Sequence, residues 1–470
     1  MPAELFPRGA NGVNARSSPV WGERAVVIGA GIAGLASAAA LSPHFERVIV
    51  FERDALPETV EPRPSIPQGR HVHTLLAGGL SALERLLPEL SGELIRGGAV
   101  RMCCDLDFRI ERLPYEPVPA RDFGFHSYTL SRPLLEHCLR RALLARPNVS
   151  IEPECRVLGL IPRGESAAPR ALTYKRGRAH PEQMACDLVL DCSGRGEITL
   201  QFLRQLGWPE PEETQLGIDV AYTTRSFARP PAQGRDWKAV LTFGHAPLSS
   251  KGGLLAPIEG ERWLVSLGGR HSERPPPDAA GYMEFLHSLR TPTLARALAA
   301  VPALEAEPAH FVFPASTRRH FERMPAQPLR LLALGDARCR FNPLYGQGMS
   351  VAAQQARALA ECLQRRAAGD PWPELSAQFT RLATQIADQA WNMSAISDFL
   401  FRQTTGPRPP DLRERLVRIA ALQQLVGEDP EIHRLAARVN HLLDPPSVLK
   451  SPEIEARVRK ILERGPSALS

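Results

Sequence analysis

Between Ala25 and Glu52 the chain reads AVVIGAGIAGLASAAALSPHFERVIVFE. An apolar strand, a Gly29-x-Gly31-x-x-Gly34 turn, a helix of small residues and a second apolar strand ending in an acid leave few folds open. Together they make the β-α-β unit of a dinucleotide-binding domain. Gly29 permits the tight turn, Gly31 lets the backbone approach a pyrophosphate, and Gly34 lets the helix pack closely on the strand. Phosphates then meet the helix N-terminus and its unpaired N–H groups. Glu52 stands 18 residues past Gly34, close to the roughly 20 expected for the acid that accepts hydrogen bonds from an adenosine ribose. Arg53 beside it joins the candidate cofactor contacts.

A second stretch, Leu329 to Leu363, reads LRLLALGDARCRFNPLYGQGMSVAAQQARALAECL. The apolar strand Leu331 to Leu334 enters Gly335-Asp336, then a loop punctuated by proline and glycine, then a long helix of small residues. Asp336 offers an acceptor for hydroxyl groups, and the helix N-terminus carries about half a positive charge that suits an anion. In this pairing and order the two segments resemble the aromatic-hydroxylase type of flavoprotein monooxygenase. The resemblance implies FAD, with Gly335 and Asp336 on the ribitol chain. It also aims the Pro343-x-x-Gly346-x-Gly348 loop, including Gln347 and Met349, at the isoalloxazine ring. It points Arg132, at the start of the helix opened by Ser131-Arg132-Pro133, at the cofactor. Arg63 and Arg70 are both candidates for a further phosphate or ribose contact, and the sequence does not choose between them.

The resemblance extends to about residue 406. The segment Gln68-Gly69-Arg70-His71-Val72-His73-Thr74-Leu75-Leu76 and the loop Asn342 to Ser350 are most similar to the squalene-epoxidase-like and polyene-epoxidase branch. Two departures stand out. The family's Asp-Gly pair before the middle domain is Ser193-Gly194 here, with Asp191 two residues earlier, so the electron source is open between NAD(P)H and a separate flavin reductase. Met349-Ser350 replaces the Leu-Asn or Val-Asn of many aromatic hydroxylases, against a simple phenol hydroxylase.

The expected fold is α/β: a Rossmann-like FAD-binding domain with an inserted antiparallel β-sheet substrate domain and a helical C-terminal region. The seams place an N-terminal extension at 1–22, the FAD-binding domain at 23–208 and 326–406, the sheet at 209–325 and the helical tail at 407–470. At 470 residues, with 43% hydrophobic and 23% charged residues, the chain can build two or three domains around a substantial core. The uncharged run Ala25 to Pro43 lies inside the nucleotide motif and is not read as a membrane span. The first residues show no apolar signal segment, and the eight cysteines are scattered without a C-x-x-C, so a cytoplasmic protein is expected. The net charge of +6 rests on arginine, with only five lysines. No block of basic residues interleaves with aromatics, which speaks against nucleic-acid binding and for attraction of an anionic cofactor.

His71 and His73 alternate on one face of an extended segment, but no Cys, His or carboxylate nearby completes a metal site, and they are read as structural or pocket-lining. G-x-S-x-G, Walker A and H-E-x-x-H motifs are absent, which removes the commonest hydrolase and NTPase readings. No residue stands out as a catalytic acid or base. As the resemblance implies, reduced FAD and dioxygen give a flavin C4a-hydroperoxide that passes one oxygen to a lipophilic secondary metabolite, by epoxidation or hydroxylation, beneath an apolar lid formed by the sheet. A Baeyer-Villiger enzyme, a flavin-dependent halogenase, a prenyl-chain reductase and a non-catalytic flavin-binding scaffold are the alternatives. The halogenase signature W-x-W-x-I-P is absent.

Overall fold

The computed structural model describes residues 20–164, 166–231, 234–365 and 371–463. Most of the expected extension at 1–22, with the segment read for a signal, lies outside them. Strand β1 (Gly22–Ile28), helix α1 (Ile32–Leu41) and strand β2 (Phe45–Phe51) form the expected first unit. β1 and β2 sit in a five-stranded sheet in the order Leu331–Ala333, Leu188–Asp191, β1, β2, Val149–Glu152, all parallel. A parallel sheet covered on both faces needs continuous apolar strands, and Ala25, Val26 and Val27 are fully buried. One face is covered by α1 with the helices Ala77–Leu86, Arg132–Leu144 and Gly348–Leu363. The other carries a three-stranded antiparallel sheet and the helix Glu197–Gln205.

The chain reads AHFVFPASTRR over Ala309–Arg319, a long strand that the expectations above do not include. Proline and alternating polar residues hide it. It pairs with Glu213–Ala228, and Pro314 falls where the register shifts between Gly217 and Val220, so its missing N–H removes no ladder bond. These strands, with Ala239–Thr242, Gly252–Ile258 and Arg262–Arg270, build most of a seven-stranded sheet. That sheet also takes in Phe108–Glu111, parallel to Ala239–Thr242, and Cys339–Arg340 at its other edge. Its strands are therefore drawn from beyond 209–325, and one pairing is parallel.

The 27-residue helix Trp372–Asp398 is the second element outside the expectations. It packs along Gly348–Leu363 and buries Phe379, Ala383 and Ala390. The tail forms the helices Leu412–Glu428, Pro430–Asn440 and Pro452–Glu463 around their own small core. His433 ties this tail to the rest of the chain through Asp105 at 3.2 Å and Arg121 at 3.0 Å. All eight cysteines are free thiols. No helix among the described residues is long and apolar enough to cross a membrane.

Candidate active site

The two motifs, some three hundred residues apart, converge on one cavity of about 2160 Å³. Gly31, Ile32, Ala33, Arg132 and Asp336 line it together with Pro343, Gly346, Gln347, Gly348 and Met349. Neither α1, which begins after Gly31, nor the helix Gly348–Leu363 has a side chain capping its N-terminus. Their first N–H groups are therefore left for another acceptor, the arrangement that binds phosphate and other anions.

The glycines divide into two groups by what a side chain would meet. A Cβ on Gly34 would lie 1.8 Å from the Gly29 carbonyl oxygen, one on Gly29 would meet the Cys192 carbonyl at 2.7 Å, and one on Gly335 would meet Ala33 at 2.9 Å. Protein packing alone requires these three, and Gly29 and Gly335 also have positive φ. At Gly31 the nearest atom to a Cβ is Arg132 Nη2 at 4.0 Å, and at Gly348 it is Asp336 Oδ1 at 3.9 Å. Nothing in the protein fills those spaces. An FAD whose pyrophosphate runs past Gly31 and whose ribitol passes between Asp336 and Gly348 fits them, and the donor set suits it: N–H groups and a guanidinium for phosphate, a carboxylate for hydroxyls.

Glu52 emerges from the end of β2 and is buried. Its Oε2 accepts from Ala30 N at 2.8 Å and its Oε1 from Asp54 N at 3.0 Å. Burial alone would raise the carboxyl; the charge of Arg63 and these two N–H bonds outweigh it and hold Glu52 below the usual carboxylate range. Arg63 Nη1 lies 2.8 Å from Glu52, while Nε donates to Glu136 at 3.0 Å and Nη2 to the Ala30 carbonyl at 3.3 Å. Arg63 and Glu52 thus grip both backbone groups of Ala30, inside the glycine turn. Glu136 continues the chain by accepting from Arg132 Nε at 3.0 Å. Arg63 is consumed by this buried network, which accounts for it without a phosphate. Arg53 and Arg70 are exposed and do not line the cavity, whereas Arg132 does. Sequence reasoning missed the Arg63 role because its partners come from two distant elements.

Asp336 lies exposed on the cavity wall; the protein around it raises its carboxyl, and Arg340 and Arg132 pull the other way. Gly335 N donates to Gln355 Oε1 at 2.9 Å, which fixes the Gly335-Asp336 pair on the long helix. Asp191, two residues before Ser193-Gly194, is fully buried and spent. Its oxygens accept from Ser193 N and Oγ at 3.1 and 2.6 Å and from Thr199 N and Oγ1 at 3.0 and 2.8 Å, pinning the loop to the next helix.

The loop before Gly348 is held from three sides. Asn342 Oδ1 caps the following turn through Leu344 N at 3.1 Å. Asp398, at the end of the 27-residue helix, accepts from Asn342 Nδ2 at 2.8 Å and from the Tyr345 hydroxyl at 3.0 Å, and pairs with Arg270 of the large sheet at 2.7 Å. The motif around His71 meets the same loop: Ser350 Oγ accepts from Leu76 N at 3.0 Å, and a Cβ on Gly346 would touch Thr74 at 3.1 Å. His73 lines the cavity. Because the His71 carbonyl 2.9 Å from its Nδ1 can only accept, Nδ1 carries the proton and Nε2 is an acceptor. Burial, reinforced by Arg132, pushes its pKa down to about 3, so the ring is neutral. Among the described residues no cluster of His, Cys, Asp or Glu could hold a metal.

The same cavity includes a chamber walled by Tyr222, Leu241, Leu254, Leu267 and Phe313 from the sheet. Ile396 from the long helix and Leu400 from the turn after it, with Leu416 and Ile419 from the tail, complete it. The tail helices thus share the covering role that the sequence assigns to the sheet.

The FAD binding domain family matches residues 23–394 of the chain. Protein Rv3254 of Mycobacterium tuberculosis is 31% identical over 404 residues, spanning 83% of this chain and 82% of that protein. The solved structure of p-nitrophenol 4-monooxygenase PnpA from Pseudomonas putida DLL-E4 is similar with a TM-score of 0.60 at 18% identity, over 91% of this chain and 99% of that one. The flavin-dependent brominase Bmp2 is similar with a TM-score of 0.64 at 15% identity, over 94% of this chain and 98% of that one. The chain belongs to the FAD binding domain family and has the flavin monooxygenase fold.

Proposed function

We propose that the protein is a FAD-dependent monooxygenase that transfers one oxygen atom from dioxygen to a lipophilic secondary-metabolite substrate, by epoxidation or hydroxylation. One observation carries this reading: a single cavity is lined both by the two open glycines, Gly31 and Gly348, and by a chamber of mainly apolar side chains, with Met349 and Tyr345 in the same wall. Cofactor cleft and substrate space are one volume, with the Gly346–Gly348 loop at their junction.

In this reading Gly31 and the open N-terminus of α1 hold the pyrophosphate, Glu52 the adenosine ribose, Arg132 a phosphate, and Asp336 the ribitol hydroxyls. The helix beginning at Gly348 lends its positive end to the ring. Bound FAD supplies the reducing equivalents that activate dioxygen. The chamber walls exclude water, which guards a reactive oxygen species against wasteful breakdown. His73 offers an acceptor rather than a charge. NAD(P)H or a separate flavin reductase supplies the electrons. The contact between the His71–Leu76 segment and the Gly346–Ser350 loop supports the likeness to the squalene-epoxidase-like and polyene-epoxidase branch, since both segments that carry it build one wall. The halogenase alternative calls for an active-site lysine, and of the five lysines only Lys450 lines the cavity, where it is exposed and near Asp411. The test is oxygen-dependent gain of one oxygen atom in a lipophilic substrate, followed by mass spectrometry with the flavin kept reduced.

A further inference from the structure

The arginines of the cavity divide by partner. Arg132 faces Glu136, Arg270 faces Asp398, Arg415 faces Asp411 and Arg418 faces Glu455. Arg112 does not follow: among the described residues no carboxylate lies within ion-pair distance of it. Nor is it a surface cation like Arg381, which lines the same cavity but is exposed. Arg112 is half-buried in the cavity wall; partial burial lowers its pKa, and the groups that act to raise it are the phenols of Tyr345 and Tyr115. Its nearest acid in sequence, Glu111, is already committed to Arg109 at 2.8 Å, Thr242 at 2.7 Å and Thr293 at 2.5 Å.

The position is also held firmly. Glu111 pins the end of the strand Phe108–Glu111, Tyr115 N closes a turn on the Arg112 carbonyl at 3.0 Å, and the Tyr115 hydroxyl reaches the Ala420 carbonyl on the tail at 3.3 Å. The guanidinium carbon stacks 4.4 Å from the ring centroid of Phe243. A cation held over an aromatic ring spends no N–H hydrogen bond on it, so the donors of the guanidinium stay available to a carboxylate in a two-pronged bond. A half-buried cation without a carboxylate partner is costly to keep in an apolar wall, and this one lines the same cavity as Tyr345 of the loop that ends at Gly348.

The geometry points to Arg112 as the anchor for a substrate carboxylate: the chamber takes an apolar body bearing an ionised acid, held with the acid on Arg112 and the body toward the Gly346–Gly348 loop. This rests on the monooxygenase reading of the cavity and makes its lipophilic substrate an amphipathic acid.

The test uses the full chain loaded with FAD and two matched probe pairs, 9-anthracenecarboxylate against its amide and dodecanoate against dodecanamide. Binding is measured at neutral pH by calorimetry and by the change in flavin absorbance. At least one acid is expected to bind about tenfold or more tightly than its amide, as a charge-assisted pair in a dry site should. In Arg112→Met the ratio falls to about one with flavin content unchanged, and Arg112→Lys keeps part of it. Equal binding of acid and amide to the native protein, no binding of either acid, or an acid preference that survives in Arg112→Met overturns the assignment. Failure of the native protein to retain FAD at all would count against the cofactor reading instead, and the two results are read separately.

Discussion

Gly348→Ala separates a glycine kept for the cofactor from one kept for the fold. A Cβ at Gly348 has Asp336 Oδ1 as its nearest neighbour, at 3.9 Å, an ordinary contact. The residue is also the first of a 16-residue helix, where alanine is favoured over glycine by up to about 1 kcal/mol. The apoprotein should therefore unfold at an unchanged or slightly higher temperature. With FAD the sign reverses, because the methyl group enters the space between Asp336 and the loop. Overpacking of a fitted contact costs about 1–3 kcal/mol, which weakens FAD binding about 5- to 150-fold. Apoprotein titrated with FAD by flavin fluorescence gives the affinity, and thermal unfolding of the same sample gives the stability. Gly34→Ala is the contrast: its Cβ would sit 1.8 Å from the Gly29 carbonyl oxygen, so the apoprotein itself should lose stability. Unchanged FAD affinity in Gly348→Ala would show that the cofactor does not pass this glycine. A large drop in apoprotein stability would show that packing, not the cofactor, requires it.

Asp336→Ala removes the acceptor assigned to the ribitol and should weaken FAD retention by about tenfold, the loss of one hydrogen bond to a charged group; unchanged retention on a desalting column would move the ribitol elsewhere. Arg63→Met leaves Glu52 and Glu136 buried without their shared cation and should cost about 3–5 kcal/mol in chemical denaturation, and a loss under about 1 kcal/mol would deny the network its role. Because the folded state holds Glu52 below its ordinary pKa, its contribution is present above the unfolded carboxylate pKa and is lost as pH falls through the folded value. The gap between native protein and Arg63→Met should accordingly narrow on acidification.

What could be read from the chain follows the range of the interactions. The Gly29–Gly34 turn and the Gly335–Gly348 loop were legible because each is a strand, a turn and a helix contiguous in sequence, where glycine and proline positions report backbone shape directly. The position of Glu52 at the end of β2 was legible from the length of that strand, but its bonds to Ala30 N and Asp54 N and its ion pair with Arg63 were not. The Arg63 network was not, since Glu136 lies 73 residues away and nothing local distinguishes a buried guanidinium from one that meets a phosphate. The strand Ala309–Arg319 was hidden by Pro314, whose fit depends on a register shift in its neighbour. Arg112 gave no signal because its meaning lies in the absence of a carboxylate partner among the described residues, which only the assembled chamber displays. Asp398 was silent for a related reason: it acts on the flavin-side loop from the end of a helix more than fifty residues further on.

The most direct measurement is isotopic. The FAD-loaded protein, kept reduced by NADPH or by an added flavin reductase, is incubated with lipophilic metabolite extracts under ¹⁸O-labelled dioxygen and, separately, in ¹⁸O-labelled water. The account predicts a product that gains one oxygen atom, labelled from dioxygen and unlabelled from water during transfer. A product that requires chloride or bromide, or an alkene reduced without consumption of oxygen, would contradict the monooxygenase assignment while leaving the FAD-binding fold in place.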